Sequence, residues 1–222
     1  MFDLKIQNCK IVNENNIIEA DIAIKNSRIE LIEKEIKAEA KEVVDVKGRY
    51  VIPGLIDDQV HFREPGLTHK ATIETESKAA LAGGITSFLE MPNTNPQTTT
   101  IKEWEFKNKL AEKTSYANYG FMFGGTNNNL DQILKLDSKR VPALKLFLGS
   151  STGNMLVDNP EVLKNIFENT DLVIAVHCED ETTITKNLKA AKVNYGENIL
   201  SLIHISEPTR QEAISYAVFC LK

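Results

Sequence analysis

Three side chains in this sequence combine reactive chemistry with an unusual setting. His61 lies just beyond a predicted strand, His177 follows the apolar run of residues 173–176, and Lys145 stands inside the apolar run of residues 143–148. Imidazole nitrogens are frequent metal ligands. A lysine in an apolar run must find a partner, lose its proton or be modified, because burying its ammonium is costly. A neutral lysine amine can react with carbon dioxide to give a carbamate, an anionic oxygen ligand suited to bridging two cations.

The segment around His61 is rich in polar side chains. If a strand continues past Asp57, its period of two places Asp57, Gln59, His61 and Arg63 on one face. Asn93 lies in a proline-flanked turn, which would present its amide at the end of the next strand. A metal ligand beside an anion-binding arginine suits the end of a barrel strand, where the active sites of such barrels lie.

Each of these residues also has a plain structural interpretation. A histidine near a strand end can be a hydrogen-bonded polar residue, and the proline-flanked turn around Asn93 can be only a turn. Lys145 can extend its stem along the sheet and carry its ammonium to the water at the sheet end. The occurrence of His61, Lys145 and His177 at the ends of three separate predicted strands favours a common centre.

The elements that would position these residues follow a βα rhythm from Tyr50 onward. Before that point, short alternating runs indicate antiparallel strands with one buried face. Five βα units are predicted, which is compatible with an incomplete barrel or with an open doubly wound sheet. The strands are predicted near residues 51–57, 85–91, 117–123, 142–148 and 171–177, and the helices near 70–82, 101–114, 128–137, 160–169 and 180–193.

The composition excludes several classes of protein. The chain has 222 residues, of which 42% are hydrophobic, and its net charge is −5. No basic block is present to attract nucleic acid or anionic lipid, so we expect a small-molecule partner. No apolar run approaches the roughly 18–20 residues of a membrane-spanning helix, and the first residues do not resemble a secretory signal. We therefore expect a cytoplasmic protein with reduced cysteines.

The last 23 residues, 200–222, break the βα rhythm where a sixth strand is due. Residues 200–210 resemble a translated sequencing adapter, and residues 214–221 resemble the flow-cell end of the same DNA. The alternative is a native helix with Pro208 near its start. On the adapter interpretation the natural sequence ends near Ile199, so His204 and Cys220 carry no functional weight.

Five segments together resemble the amidohydrolase superfamily and, within it, the dihydroorotases. The resemblance runs from about residue 3 to residue 199 and rests on residues 53–57, 61–66, 91–94, 144–146 and 175–177. It implies a partial metal-dependent (β/α)₈ barrel in residues 51–199, preceded by strands of a small β-sandwich in residues 1–50.

The resemblance also implies a metal site. His61 and His177 would be zinc ligands, and Lys145 would be the carboxylated bridging lysine. The site would hold one or two zinc ions. The family usually has a histidine two residues before His61, and here that position is Gln59. An amide oxygen is a weaker zinc ligand than an imidazole, so Gln59 is a second-rank candidate and one metal position is in doubt.

The activity implied is the reversible, zinc-dependent cyclisation of N-carbamoyl-L-aspartate to L-dihydroorotate in pyrimidine synthesis, with Arg63 and Asn93 holding the substrate carboxylate. The strand-six histidine and strand-eight aspartate of the family have no counterpart before residue 199. We therefore expect this chain to be an inactive fragment of a homo-oligomeric enzyme. Two alternatives remain: another cyclic amidohydrolase, such as an allantoinase or a hydantoinase, and a non-catalytic scaffold protein.

Overall fold

A computed structural model of the chain describes residues 1–149 and 155–196. The described residues form two compact units, of which the first is Met1–Gly54 and the second begins at Leu55. Residues 200–222, which we interpret as adapter-derived, lie outside the described residues. None of the helices in the described ranges is long and apolar enough to cross a membrane.

The first unit is a mixed five-stranded sheet in the order β3-β2-β1-β4, with β5 also paired to β1. The prediction of antiparallel strands is correct for β1, β2 and β3 and wrong for β4, which runs parallel to β1, as does β5. Parallel neighbours need a crossover, which leaves no short turn signal in the sequence. The strands are β1 (Phe2–Asn13), β2 (Asn16–Lys25), β3 (Arg28–Glu33), β4 (Ala40–Asp45) and β5 (Tyr50–Val51).

Strand β1 joins two runs that the sequence pattern separates. Its pairing with β2 shifts register between Ile6 and Cys9, where Asn8 adopts a φ of 59°. The backbone N–H of Asn8 donates to Asp21 Oδ1 at 3.0 Å, and that of Ile36 donates to Asp21 Oδ2 at 3.0 Å. The break in alternation is therefore a bulge inside one strand.

In the second unit, every paired strand runs parallel to its neighbour. The two three-stranded sheets, β6-β7-β8 and β9-β10-β11, follow one another because Met122 alone separates β8 from β9. Strand order equals chain order, unlike the reversed order of a doubly wound sheet. The fold is a partial (β/α)₈ barrel of five βα units. Its strands are β6 (Leu55–Val60), β7 (Ile85–Glu90), β8 (Asn118–Phe121), β9 (Phe123–Gly124), β10 (Leu144–Phe147) and β11 (Ile174–His177).

Four of the five helices described in this unit begin at side-chain caps. Thr72, Thr100, Asn159 and Asp180 each accept a backbone N–H of the first turn. Helices α2 and α4 match their predicted bounds, whereas α3 is shorter than the predicted 128–137. Asn129 there bonds to Gly124 and Thr126 instead of extending a helix. The helices are α1 (Ile73–Ala82), α2 (Ile101–Thr114), α3 (Leu130–Ile133), α4 (Pro160–Asn169) and α5 (Glu181–Tyr195).

The barrel strands have two apolar faces. The face toward the helices belongs to a large core that includes Phe88, Phe121, Phe123, Leu144 and Leu146. The opposite face, called the inner face below, carries a smaller cluster. Its members are Leu89, Met91, Met122, Ala143 and Ala175.

The first barrel strand lies later in the chain than predicted. It spans Leu55–Val60 instead of 51–57, because Tyr50–Val51 pairs in the sheet of the first unit. Its pairing with β7 also shifts register between Asp57 and Val60. The predicted continuous face from Asp57 to Arg63 is therefore wrong, since a bulge breaks the alternation and the strand ends at Val60.

Candidate active site

His61 is the first polar residue at the end of β6. Its neighbours Val60 and Phe62 both pack against the helix-side core, so His61 lies on the inner side. Its Nδ1 is 2.9 Å from Asn93 Oδ1. Because an amide oxygen only accepts, Nδ1 donates and Nε2 keeps its lone pair. Burial lowers the pKa of His61, and the positive charge of Arg63 acts in the same direction.

Arg63 and Gln59 lie on either side of His61 in sequence but in different settings. Gln59 is exposed, and its backbone N–H donates to Asp57 Oδ1 at 3.1 Å. Arg63 is half-buried and has a φ of 69°, so the chain no longer follows a strand there. The structure therefore keeps Arg63 beside the histidine and leaves Gln59 facing solvent.

The turn after β7 that carries the Asn93 amide is held by its own backbone. The N–H groups of Thr94 and Thr98 both donate to the carbonyl of Pro92 at 2.9 Å. Gly66, with a φ of 81°, packs against this turn, and a Cβ there would collide with the carbonyl oxygen of Asn95. Only glycine fits, so the segment after β6 and the turn after β7 are locked together.

Lys145 is buried in β10, with 4% of its surface exposed. It lies two residues beyond Ala143 and so belongs to the inner face. Its Nζ is 5.1 Å from the centroid of the Phe147 ring, and within the described ranges no carboxylate lies at ion-pair distance from it. Burial lowers the pKa of this amine, and Cys178 opposes the shift only in part.

His177 is the last residue of β11, on the adjacent strand. It pairs in register with Phe147, and the two rings are 6.2 Å apart at their centroids. It lies two residues beyond Ala175 and so shares the inner face with Lys145. Its Nε2 is 3.3 Å from Glu179 Oε1.

Glu179 is a site residue that the sequence analysis missed. Only 11% of its side chain is exposed, and its Oε2 is buried without a hydrogen bond. It packs against Gly149, where a Cβ would lie 2.6 Å from the Glu179 Cβ. An acidic residue two positions after a strand-end histidine was the available signal.

A second missed feature is a buried ion pair behind the site. Glu90 Oε2 and Lys107 Nζ are 2.8 Å apart, and both side chains are fully buried. Burial raises the pKa of Glu90 and lowers that of Lys107, each opposed by the charge of the other. The buried residues of α2 are Trp104, Lys107 and Ala111, a helical spacing that places this lysine in an apolar stripe.

The structure thus brings His61 and Asn93 into contact and places Lys145 and His177 on the same face of neighbouring strands. The positive charge of Lys145 also lowers the pKa of His61, although more weakly than that of Arg63 does. Across residues 1–149 and 155–196, no three His, Cys, Asp or Glu side chains group closely enough to hold a metal ion by themselves.

Comparison with known proteins now decides the family. A family model described as "Amidohydrolase family" matches residues 50–209. The chain belongs to the amidohydrolase family. Within the family it is 36% identical over 197 residues to a dihydroorotase of Methanosphaera stadtmanae, which covers 87% of this chain and 44% of the relative. An allantoinase of Desulfitobacterium hafniense (strain Y51) is 38% identical over 194 residues, or 84% of this chain and 42% of the relative.

A solved amidohydrolase structure shows the same fold. The L-hydantoinase from Arthrobacter aurescens superposes with a TM-score of 0.91 at 30% identity, over 99% of this chain and 50% of that one. The amidohydrolase chain described here therefore spans about half the length of the relatives it matches. Relatives named for three different activities are similarly close, so family membership does not choose among them.

Proposed function

We propose that this chain is part of a dihydroorotase, which interconverts N-carbamoyl-L-aspartate and L-dihydroorotate with the help of zinc. The observation that carries the proposal is the contact between His61 Nδ1 and Asn93 Oδ1 beside Arg63. Because Asn93 Oδ1 accepts the hydrogen bond from His61, the side-chain amide has its two N–H donors to offer to a substrate. An amide donor and a guanidinium close together suit a carboxylate.

This pair of donors favours an acidic ring over a neutral one. Dihydroorotate carries a carboxylate, whereas hydantoin and allantoin do not. A guanidinium binds a carboxylate through two parallel N–H donors, and Arg63 is always charged near neutral pH. In this proposal Arg63 and Asn93 hold the carboxylate and so orient the ring amide toward the inner face.

The residues of the inner face fit a metal ion if Lys145 supplies oxygen ligands. His61 donates through Nδ1 and so keeps Nε2 for a metal, an arrangement typical of metal-bound histidines. His177 would be the second imidazole ligand, and the exposed Gln59 remains the second-rank candidate. A bound zinc ion would act as a Lewis acid on the ring carbonyl.

Lys145 is suited to carboxylation because burial favours its neutral amine. The amine nitrogen would attack carbon dioxide, forming an N–C bond and releasing one proton to solvent. The product is a carbamate with one negative charge. It would place at this buried position an anion that metal ligation can neutralise.

Two other functions have specific support. A hydantoinase is supported by the TM-score of 0.91 to the L-hydantoinase, and an allantoinase by the 38% identity to the Desulfitobacterium protein. A non-catalytic scaffold is supported only by Gln59, which is exposed where the dihydroorotases have a histidine. A cytoplasmic homo-oligomer remains part of the proposal.

The deciding experiment compares ring opening of dihydroorotate, hydantoin and allantoin by the full-length protein that carries this sequence. We expect dihydroorotate to be the preferred substrate. Arg63→Met and Asn93→Ala should raise KM for dihydroorotate at least about tenfold, since each removes a charge-assisted or neutral hydrogen bond to the carboxylate. Faster turnover of a neutral ring, unaffected by Arg63→Met, would refute the proposal. Absence of both zinc binding and turnover would support the scaffold.

A further inference from the structure

The geometry points to Glu90 and Lys107 as positioning residues, whose buried ion pair holds the backbone at Arg63 and so aims His61 and Arg63 into the site. Both residues lie on the helix side of the sheet. Glu90 lies two positions after Phe88 in β7, and Lys107 belongs to the buried stripe of α2. The inference rests on the proposed function only in assuming that His61 and Arg63 serve an active site.

The contacts of the pair reach both segments that carry the site. Glu90 Oε1 accepts the backbone N–H of Arg63 at 3.1 Å. Lys107 Nζ donates to the carbonyl oxygen of Met91 at 3.1 Å. The pair therefore ties the chain after β6 to the start of the turn after β7.

The backbone N–H of Arg63 depends on the Glu90 carboxylate as its acceptor. With a φ of 69°, Arg63 has left the strand, so its N–H has no partner in the ladder with β7. The Phe62 ring anchors the same segment on the helix side, with its centroid 4.4 Å from that of Phe88. His61 precedes these two fixed points, and its direction depends on both of them.

Stability alone does not explain a charged pair at this position. Apolar residues of similar volume often replace buried ion pairs with no loss of stability. An apolar pair, however, offers no acceptor to the Arg63 N–H. The distinctive contribution of Glu90 is thus a carboxylate oxygen at the strand end, and that of Lys107 is the charge that keeps this carboxylate in place.

The test compares two double variants of the full-length protein, Glu90→Leu/Lys107→Met and Glu90→Gln/Lys107→Met. Both remove both charges, but only the glutamine variant keeps an acceptor for the Arg63 N–H. Hydrogen exchange of the Arg63 amide is measured in metal-free protein, relative to the slowest amides of β10. Zinc affinity and the kcat and KM for dihydroorotate follow on the loaded enzyme.

We expect the Arg63 amide to exchange at least about tenfold faster in the leucine variant than in the glutamine variant. Zinc affinity or kcat/KM should fall about 10–100-fold in the leucine variant, as for other outer residues of metal sites. The glutamine variant should recover most of that loss. Equal Arg63 exchange, or equal zinc affinity and KM in the two variants, would overturn the inference.

A single variant decides the matter if the leucine variant does not fold. In Lys107→Met, Glu90 loses the charge that keeps its carboxylate in place, and faster Arg63 exchange together with a rise in KM at little change in kcat supports positioning. An unchanged KM and unchanged Arg63 exchange at a lowered melting temperature would overturn it. Because the exchange measurement needs no substrate, it tests the inference even if the protein proves not to be a dihydroorotase.

Discussion

The carboxyl ends of two pairs of barrel strands, β6/β7 and β10/β11, contribute to the candidate site. The two pairs are built differently. At the β6/β7 end, His61 contacts Asn93, and the surrounding backbone is locked by Gly66 and by Glu90. At the β10/β11 end, Lys145 is buried without a carboxylate partner among the described residues. The described residues thus hold the β6/β7 end through their own contacts, whereas at the β10/β11 end they supply no carboxylate to the buried Lys145, where we propose carboxylation and metal binding.

Two buried lysines show this difference most directly. Lys107 is fully buried and lies 2.8 Å from Glu90 Oε2, while Lys145 is 4% exposed and its Nζ lies 5.1 Å from the centroid of the Phe147 ring. Burial lowers the pKa of both amines, but the charge of Glu90 opposes the shift for Lys107. The same residue type is therefore paired with a buried carboxylate at one end, and at the other it is the amine for which we propose carboxylation.

The largest expected effect is a difference in stability between two matched substitutions. Lys107→Met should lower the free energy of unfolding by about 3–5 kcal/mol, because it leaves the Glu90 carboxylate buried and unpaired. Lys145→Met should leave it unchanged or raise it, because it removes a desolvated amine. Urea unfolding of the metal-free protein measures both. Equal losses in the two variants would show that the ends do not differ in this way.

Substitutions at the β10/β11 end should weaken zinc binding more than substitutions at the β6/β7 end. This order is the reverse of the one expected for stability. Lys145→Met and His177→Ala should each weaken zinc binding more than about 100-fold, beyond the range typical of outer residues. Asn93→Ala should weaken it only about 10–100-fold, because Asn93 orients His61 without ligating. Competition with a chromophoric chelator measures the affinities, with added bicarbonate as a control. Bicarbonate should strengthen zinc binding by the parent protein and have no effect on Lys145→Met.

A third prediction concerns the close packing at the β6/β7 end. Gly66→Ala should lower the free energy of unfolding by more than the roughly 1–3 kcal/mol typical of a strained backbone residue, because a Cβ there meets Asn95. Gly48→Ala is the matched control, since Gly48 has a φ of 74° but no atom within 4 Å of a Cβ. Zinc affinity should fall in Gly66→Ala alone. Similar costs for both variants would argue against the locked turn.

Most of the elements around the site could be predicted from local patterns. Helices α2 and α4 have their predicted bounds because Thr100 and Asn159 cap them and their apolar periods are clear. The continuous face from Asp57 to Arg63 could not be predicted, since a bulge depends on the pairing of β6 with β7. Likewise, the parallel pairing of β4 and β5 with β1 depends on contacts distant in sequence.

The site shows the same limit. Lys145 and His177 stand out because each lies inside or at the end of an apolar strand, and His61 stands out because it lies among polar side chains just beyond a predicted strand. The Glu90–Lys107 pair does not, because its partners are 17 residues apart on a strand and a helix whose packing must be known first. Sequence patterns identify candidate ligands, but they do not identify the buried contacts that aim them.

The smallest expected effect is a difference between the N-terminal caps of α2 and α5, the helices that follow β7 and β11. Thr100→Ala before α2 and Asp180→Ala before α5 should each cost about 1 kcal/mol near neutral pH. Asp180 accepts the N–H groups of Thr182 and Thr183 and the hydroxyl of Thr183, which lower the pKa of its carboxyl.

This lowered pKa makes only the Asp180 cap depend on pH. Because the folded-state pKa lies below the unfolded value of about 3.9, the stabilisation is complete above that value and is lost as the pH falls through the folded-state pKa. The cost of Asp180→Ala should therefore shrink between pH 6 and pH 3, and that of Thr100→Ala should not. Urea unfolding across this range measures both. Parallel pH profiles for the two variants would mean that the Asp180 carboxylate does not carry the cap, and that the start of α5 is fixed by other contacts at the β10/β11 end.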